Sequence, residues 1–568
     1  MAAAAAAAAA GPGKAPRPPA SDAEGVDEEE RPFVSVDKRT LYEDVARLMR
    51  PEKVEKSPLT PLGELLQASI KRVGPISLAD FMDVCLAHPE HGYYMHAETA
   101  KIGKAGDFVT APEISQMFGE LLGVWAVATW EKLGLPGNGV RLVEMGPGKG
   151  TLMTDLLRVA RTFPPFHKAL GGVHMVETSR SLREEQKKAL GAVESSSAST
   201  AGSKEGGQGE GQVQDEKWER GGARASRQAR WTLPSLGGLG IDWHDDIRQV
   251  PVGGPLLIVA QELLDALPVH QFEFTKDGWR ERLVDVDEDP ETPHHFKLVL
   301  AEGPTPAVVH LEATMGPVIE QLRERQCLAK RAIREVRRRR AARAAVAAAA
   351  AAKEAAKKEA GNGAPAAAGP DEEADEAMVK GDDDDEEEDE DPLETGTGLE
   401  VCPLGLQMAQ HVAERVARTG GAALFVDYGE DYAQGDSLRG LKRHAHVDAL
   451  SEPGRVDLST DVDFAAIKTA VAGMEGVRAF GPMPQGQFLS AMGIEARLQA
   501  LLQSDAVSEK QALHLYDSYR RLVDPDQMGR KYKVLALVST KHQGPAVAFF
   551  EDPPKEKGKE RGKGRKKD

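Results

Sequence analysis

Cysteine is scarce in this chain, and its apolar runs are short. The three cysteines among 568 residues, Cys85, Cys327 and Cys402, lie far apart and form no Cys-x-x-Cys pair. This argues against zinc ribbons and redox-active pairs and makes a reducing compartment the default. No apolar run approaches a membrane span in length, so none is predicted. His444 and His446 have no third ligand at a suitable spacing, so no metal site is predicted.

The N-terminus also lacks the features of a targeting signal. It has no charged region followed by a leucine-rich core, and its few arginines and the acids at 22–30 argue against a mitochondrial presequence. The net charge of −18 comes mostly from acids at 381–391, so it says little about partners of the folded part. The basic runs at 329–343 and 555–567 lie in low-complexity sequence, so no nucleic-acid partner is expected.

Composition divides the chain into low-complexity and ordered segments. An N-terminal segment at 1–35, insertions at 192–230 and 329–398, and a basic tail at 551–568 are too poor in apolar residues to offset their ordering entropy. They are expected to be disordered, although 329–398 begins as a basic Ala/Arg helix former. The ordered parts are expected to be a helical N-terminal part at 40–135, a core at 136–191 and 231–328, and its C-terminal part at 399–550.

Strands alternate with helices along the ordered sequence. Helices are predicted at 59–71, 77–85, 113–130, 151–163 and 404–419, and strands at 140–145, 172–177, 255–260, 422–427 and 534–539. This alternation predicts an α/β fold with a doubly wound parallel sheet. Shorter strands at 269–274, 281–284 and 296–300 look antiparallel and predict an appended β element.

The most informative stretch is a glycine-rich turn between the first strand and its helix. After Glu144 come Gly146, Pro147, Gly148 and Gly150, in a G-x-G-x-G pattern. A phosphate loop would end in Gly-Lys-Ser/Thr, and a dinucleotide loop prefers G-x-G-x-x-G. The pattern suits a cofactor without a phosphate, chiefly S-adenosylmethionine, because bare backbone can lie against the ligand and the helix N-terminus offers N–H groups to its carboxylate.

Four acids, Glu144, Glu177, Glu262 and Asp427, follow predicted parallel strands, where ligands of such sheets bind. Glu144 is predicted to hold the glycine turn or the ligand's ammonium group, and Glu177 to accept hydrogen bonds from both ribose hydroxyls. NAD enzymes use the same device, so Glu177 does not separate the two cofactors. Asp245 or Asp246 is a candidate for the adenine edge. The alternative for each acid is a helix cap; together with the glycine turn they favour a site.

Glu262 and Asp265 follow the buried strand at 255–260 and are the predicted catalytic residues. Two carboxylates beside a methyl donor suit a planar cation such as guanidinium, which they can grip and orient. Methyl transfer from a sulfonium needs chiefly alignment and charge stabilisation. The alternative is that Asp265 only caps a short helix.

Many ordered stretches of the chain resemble the MidA-like methyltransferases. The resemblance covers about residues 58–190, 231–325 and 398–541. It is carried by His88-Pro89-Glu90-His91-Gly92-Tyr93-Tyr94, by the stretch from Gly106 to Gln116, by the glycine turn, by Val176-Glu177-Thr178-Ser179, by Glu262 with Asp265-Ala266-Leu267-Pro268, by Asp427-Tyr428-Gly429, and by Asp457-Leu458.

The resemblance implies a seven-stranded class I methyltransferase sheet, S-adenosylmethionine as methyl donor and a protein arginine as acceptor. It also places Asp107 and Thr110 among the cofactor-binding residues. In mitochondrial members the acceptor belongs to a core subunit of respiratory complex I and is modified during assembly, so a mitochondrial location is expected on this ground alone.

Two other functions remain open from the sequence. A dehydrogenase on a similar fold would need a hydride-relay site, which is not apparent, and a different glycine spacing. A non-catalytic assembly factor could keep the fold and act by binding, and the long insertions would suit it. The sequence gives no oligomeric state.

Overall fold

The computed structural model describes residues 56–95, 102–103, 106–137, 139–195, 231–360, 393–542 and 544–549, with only the main chain for 345–360. The segments predicted to be disordered at 1–35 and 551–568 lie outside the described residues, as do most of the insertion at 192–230 and the acidic half of 329–398. Within the described ranges, no helix combines the length and apolar character that a bilayer crossing needs.

Strands of three sheets occur along the chain. In order they are β1 Ile76–Ser77, β2 Val140–Met145, β3 Leu170–Val176, β4 Val193–Glu194, β5 Trp231–Leu233, β6 Leu239–His244, β7 Leu256–Gln261, β8 His270–Thr275, β9 Gly278–Val286, β10 Phe296–Leu300, β11 Gly398–Val401, β12 Ala422–Glu430, β13 Arg439–Lys442, β14 Ala445–Val447, β15 Asp457–Ser459, β16 Val462–Asp463, β17 Val477–Pro484 and β18 Tyr532–Ser539.

Helices connect these strands and flank the sheets. They are α1 Pro61–Val73, α2 Leu78–Ala87, α3 Ala111–Ile114, α4 Gln116–Lys132, α5 Thr151–Thr162, α6 Pro164–Ala169, α7 Arg180–Leu190, α8 Pro306–Thr314, α9 Gly316–Ala360, α10 Pro403–Thr419, α11 Phe464–Val471, α12 Gln485–Ala491, α13 Ile494–Leu502, α14 Glu509–Val523 and α15 Met528–Lys531.

The large sheet is mixed, and its centre is parallel. Its strand order is β17-β18-β12-β7-β2-β3-β6-β5-β4, with β16 paired to β12. The five strands from β12 to β6 pair in parallel, whereas β18 runs antiparallel to both β12 and β17. The α/β class is therefore confirmed, and the sheet has ten strands rather than only the predicted parallel set.

Apolar side chains bury both faces of this sheet. Leu142 of β2 belongs to a buried cluster with Leu122 and Trp125 of α4. The next residue, Val143, belongs to a second cluster with Val412 of α10. Successive side chains of a strand point to opposite faces, so helices must cover both of them. The carboxyl ends of the strands are left as the edge where polar residues can meet.

A second sheet is antiparallel and contains β1, β9, β8 and β11, with β10 paired to β9. Its β8–β9 hairpin turns at Lys276-Asp277, so the appended β element predicted from the sequence is present. A third small sheet, β14-β13-β15, brings Asp457 close to the end of the large sheet's parallel strands, because Thr460 N–H donates to the Asp265 carbonyl at 2.9 Å.

The helix predicted at 113–130 is interrupted. Ser115 leaves the helical conformation, with φ −157° and ψ 135°, and separates α3 from α4. Its hydroxyl accepts a hydrogen bond from Met117 N–H at 3.2 Å, so it caps α4. Serine is a favoured N-cap because its oxygen satisfies an amide that the first turn leaves unpaired. The apolar periodicity of residues 113–130 continues across Ser115, so it did not indicate this break.

The helix α9 extends into the segment predicted as low complexity. Its first turns are anchored: Val318 and Leu322 are buried with Phe272. Farther along, Lys330 forms an ion pair with Glu394 at 3.3 Å, and the described side chains from Arg337 to Ala344 are exposed. The insertion therefore leaves and re-enters the fold at neighbouring points.

Deletion of residues 332–391 is expected to leave the fold intact. Lys330 and Glu394, close to the two ends to be joined, form an ion pair, and the side chains from Arg337 to Ala344 are exposed. The free energy of unfolding should therefore change by less than about 1 kcal/mol. A longer deletion, 316–391, also removes the buried Val318 and Leu322 and should cost several-fold more. Denaturant unfolding of both deletions measures this; equal losses would contradict the assignment.

Candidate functional site

The glycine turn follows β2 as predicted and opens α5. Gly146 and Gly148 have φ of +63° and +50°, in the left-handed region that favours glycine. A Cβ at Gly146 would lie 2.8 Å from Leu263 Cδ1, and the Gly146 N–H donates to the Val176 carbonyl at 3.0 Å. Gly146 therefore lies between the ends of β3 and β7 and has no room for a side chain.

Glu144 lies directly beneath this turn. Its side chain is 3 % exposed, and its Oε2 has no hydrogen-bond partner among the described residues. Burial raises the pKa of the Glu144 carboxyl well above its usual value, and the main chain of Met153 in α5 only partly offsets this effect. A buried polar atom of this kind is one that a ligand, an ion or a water molecule can satisfy.

Glu177 is held by a side chain that sequence reasoning did not identify. The Gln186 amide donates to Glu177 Oε2 at 3.2 Å and to the Gly148 carbonyl at 2.7 Å. The Gln186 oxygen accepts from Trp243 Nε1 at 2.7 Å. Burial raises the pKa of Glu177, although Ser179 N–H donates to it at 2.8 Å. Gln186 therefore couples the predicted ribose acid to the glycine turn.

Asp245 and Asp246 follow β6, where the adenine edge was predicted. Asp246 caps a short 3₁₀ turn by accepting from Arg248 N–H at 2.7 Å, and the Arg248 guanidinium binds both of its oxygens. This arginine lowers the pKa of Asp246. Asp245 pairs with Arg183 at 2.5 Å. The assignment of Asp246 to the cofactor stays a prediction, because both carboxylates already have cationic partners.

The segment 106–115 bridges the glycine turn and the Glu262 turn. Asp107 is buried and accepts from the Tyr93 hydroxyl at 2.9 Å and from Arg443 N–H at 2.8 Å. Thr110 precedes α3, and its side chain makes no capping hydrogen bond. Ala111 N–H donates to Glu262 Oε1 at 3.1 Å. Asp107 thus positions the segment, and Thr110 lies at its centre.

Glu113 completes this bridge on the side of the glycine turn. It accepts a hydrogen bond from the hydroxyl of Thr151, the first residue of α5, at 2.5 Å. The Lys149 ammonium donates to the Ile102 carbonyl from within the turn itself. The segment that carries Asp107 and Thr110 therefore contacts both predicted halves of the site.

Glu262 and Asp265 lie in one short turn after β7. Glu262 has φ +49°, which is strained for a residue with a side chain. Burial raises its pKa to about 8 and that of Asp265 to about 6. Asp265 Oδ2 accepts from the Tyr428 hydroxyl, whereas Oδ1 is buried and has no partner among the described residues. The predicted catalytic pair is thus brought together.

Asp427 supports this turn from β12. Its Oδ2 accepts hydrogen bonds from the N–H groups of Leu263 at 3.1 Å, Leu264 at 2.9 Å and Asp265 at 3.3 Å. Burial raises the pKa of Asp427 well above its usual value, and neighbouring acids add to that effect. Of the four strand-end acids, Asp427 binds main-chain amides of the turn after β7, so it supports the Glu262 turn and does not cap a helix.

Several polar residues join this cluster from loops far away in the sequence. The Tyr94 hydroxyl donates to Asp457 Oδ1 at 2.7 Å, and burial raises the pKa of Asp457 to about 8. Arg439 lies over the Tyr428 ring at 4.6 Å and pairs with Asp461. The aromatic loop that contains Tyr94 was noticeable in the sequence, but no local signal pairs it with residue 457.

Comparison with known proteins places this arrangement in a family. Residues 121–483 match a family model described as "Putative S-adenosyl-L-methionine-dependent methyltransferase". The chain is 32 % identical over 494 residues to "Protein arginine methyltransferase NDUFAF7, mitochondrial" of Rattus norvegicus, covering 86 % of each chain. It is 31 % identical over 485 residues to the Homo sapiens protein of that name, covering 85 % of this chain and 84 % of that one.

A solved structure shows the same fold. The crystal structure of a Burkholderia thailandensis protein bound to S-adenosyl-homocysteine matches with a TM-score of 0.56 and 22 % identity, covering 86 % of this chain and 94 % of that one. The family match and the relatives confirm the resemblance read from the sequence. The chain therefore belongs to this family of S-adenosylmethionine-dependent methyltransferases.

Proposed function

We propose that this protein transfers methyl groups from S-adenosylmethionine to an arginine side chain of another protein. One observation carries the choice of acceptor: Glu262, Asp265 and Asp457 form a buried group of acids in which Asp265 Oδ1 has no partner. The nearby guanidinium, Arg439, already pairs with Asp461. A cationic acceptor would supply the missing positive charge. The relatives named above are protein arginine methyltransferases, which supports the same acceptor.

The residues on the other side of the Glu262 turn fit the methyl donor. The unpartnered Glu144 Oε2 suits an ammonium group, and the bare main chain of the glycine turn leaves space for a ligand. When bound, the donor supplies a methyl group on a positively charged sulfur. The residues assigned to it are Glu144, Gly146, Pro147, Gly148, Gly150, Glu177, Asp246, Asp107 and Thr110.

The acceptor side chain would be oriented by Glu262 and Asp265. Two carboxylates can grip a guanidinium through paired hydrogen bonds and leave one nitrogen directed at the donor. Their raised pKa values mean that the free site is partly protonated near neutrality, so binding of a cation should favour the ionised forms. Exclusion of water strengthens this electrostatic grip.

The strand order supports a class I methyltransferase core. We assign seven of the ten strands, β6-β3-β2-β7-β12-β18-β17, to that core, and β5 and β4 to an extension at its edge; the tenth, β16, is a short strand paired to β12. The core would comprise residues 136–191, 231–328 and 399–550, with 40–135 as the helical N-terminal part. Residues 192–230 and 329–398 are insertions, and 1–35 and 551–568 are terminal segments.

A mitochondrial location and a complex I core subunit as substrate complete the proposal. The location is supported by the relatives, whose names include the word mitochondrial. The choice of subunit rests on the family resemblance. The test is transfer of labelled methyl groups from S-adenosylmethionine into purified complex I core subunits, with mass spectrometry to find methylarginine. Tight donor binding without methylarginine would favour the alternative, a non-catalytic assembly factor that retains the fold.

Glu144 should make donor binding depend on pH. Burial raises the pKa of its carboxyl well above the usual value, and a bound ammonium group would favour the ionised form, so donor affinity should increase as pH rises. Glu144→Gln should abolish this trend and weaken binding about 10- to 100-fold. Calorimetric titration measures both. Glu131→Gln, exposed on α4, is the control, and a wild-type dissociation constant independent of pH would contradict the assignment.

A further inference from the structure

We propose that Asp457 accepts the proton that the target nitrogen loses during methyl transfer, and that Tyr94 orients it. This inference rests on the proposed function and deepens it, because it adds a third acid to the acceptor site. The sequence pattern marks Asp457 only as part of a matching stretch, and it assigns the residue no role.

The position of Asp457 follows from two connections. Asp457 begins β15, and Thr460, the residue directly after that strand, donates its N–H to the Asp265 carbonyl at 2.9 Å. The same acids influence one another electrostatically: Asp457 raises the pKa of Glu262, and Asp265 raises that of Asp457. Asp457 therefore lies with the two acids that grip the acceptor, although nearly 200 residues separate them in sequence.

Tyr94 joins this acid to the donor side. Its hydroxyl donates to Asp457 Oδ1 at 2.7 Å. Its carbonyl accepts from the Ser179 hydroxyl at 2.8 Å, and Ser179 N–H donates to Glu177 at 2.8 Å. Tyr94 and Ser179 thus link the predicted ribose acid to Asp457 through three hydrogen bonds. Such a connection suits a base that must be held at a defined place relative to the donor.

Asp457 differs from the other two acids in its partners. Asp265 has a hydrogen bond from Tyr428 and lies near the positive charge of Arg439, which lowers its basicity. Glu262 Oε1 is occupied by Ala111 N–H. The hydrogen bond of Asp457 comes from a neutral phenol, and its charged neighbours are acids, so burial and repulsion raise its pKa to about 8, above that of Asp265 and similar to that of Glu262. Oδ1 is bonded to Tyr94, which leaves Oδ2 for the proton.

The step is balanced with these residues. A nitrogen–carbon bond forms at the arginine, the sulfur–carbon bond of the donor breaks, and its electron pair stays on sulfur. The proton from the attacking nitrogen passes to Asp457 Oδ2, and later to water. Glu262 and Asp265 remain ionised and keep hold of the product, which is still a cation. A base with pKa near the working pH is the most effective acceptor for such a proton.

Two variants test the assignment with labelled S-adenosylmethionine and the complex I core subunit that the wild type methylates. Asp457→Asn should lower kcat by about 100- to 10,000-fold, with donor affinity and substrate KM within about threefold. Tyr94→Phe removes a hydrogen bond that favours the ionised acid, so the pH of half-maximal kcat should move upward and activity should recover at high pH. Tyr516→Phe, an exposed tyrosine on α14, is the control.

The pH profile must be interpreted with the groups around Asp457 in mind, which are Tyr93, Tyr94, Asp107, Glu262 and Asp265. Among these groups, only the loss of the Tyr94 hydrogen bond predicts an upward shift in the pH of half-maximal kcat together with recovery of activity at high pH. Full kcat in Asp457→Asn, or a Tyr94→Phe loss that is equal at all pH values, would overturn the inference while the proposed function stands. A wild type that binds the donor but methylates no arginine would overturn both.

Discussion

Gly148→Val is expected to abolish S-adenosylmethionine binding, with a dissociation constant raised roughly 100-fold or more. Gly148 has φ +50°, which a β-branched residue adopts only with strain. A Cβ there would lie 3.3 Å from Ile102 Cδ1, and the two methyl groups of valine would extend into the space beside the turn. The Gly148 carbonyl is fixed by Gln186 at 2.7 Å, so the turn cannot easily move away.

A matched substitution separates the loss of space from backbone strain. Gly191 ends α7 with φ +64°, and a Cβ there would meet nothing within 4 Å. Gly191→Val should therefore cost a similar 1–3 kcal/mol of strain but leave donor affinity unchanged. Calorimetric titration and thermal unfolding of both variants are the measurements. If Gly148→Val binds the donor like the wild type, the cofactor does not occupy this turn.

Local sequence signals predicted the parts of the fold that neighbouring residues determine. The strand Val140–Met145 has the predicted bounds, and Ser77 caps α2 through a hydrogen bond from Asp80 N–H at 3.0 Å. In both cases the decisive residues lie within six positions of one another. The glycine turn is of the same kind, because its conformation depends on missing side chains rather than on distant partners.

Contacts between distant segments could not be predicted in this way. The Tyr94–Asp457 hydrogen bond joins residues 363 positions apart, and Asp427 reaches Leu264 across 163 positions. Gln186 is an ordinary polar helix residue in the sequence, and only the packing of α7 brings its amide to Gly148. Such contacts depend on how the whole chain folds, and the sequence around each residue does not specify them.

The catalytic turn illustrates a second limit. Nothing in the sequence of residues 261–268 indicates that Glu262 has a positive φ. This conformation is held because Asp427 binds three successive amides of the turn and Ala111 N–H binds the Glu262 side chain. Strain of this kind persists where surrounding contacts determine it, and it is common at sites that position reacting groups.

Asp265→Asn is expected to remove methyl transfer while keeping donor binding. Loss of one charged partner from a buried pair costs about 2–5 kcal/mol, so kcat/KM should fall roughly 30- to 4,000-fold. Asparagine has the same shape and can still accept from the Tyr428 hydroxyl through its oxygen. Asp431→Asn, an exposed acid that pairs with Lys468 at 2.6 Å, is the control and should behave like the wild type.

The same substitution should not destabilise the protein at pH 8, which separates a functional from a structural acid. The folded pKa of Asp265 is raised to about 6, above its unfolded value, so its stabilising contribution is complete below the unfolded pKa and is lost as pH rises through 6. Asparagine cannot ionise, so Asp265→Asn should equal or exceed the wild type in thermal stability at pH 8. A residue that is kept for binding usually costs stability, so its replacement should not lower the melting temperature. A melting temperature of Asp265→Asn below that of the wild type at pH 8 would therefore mean that Asp265 supports the turn instead of gripping the acceptor.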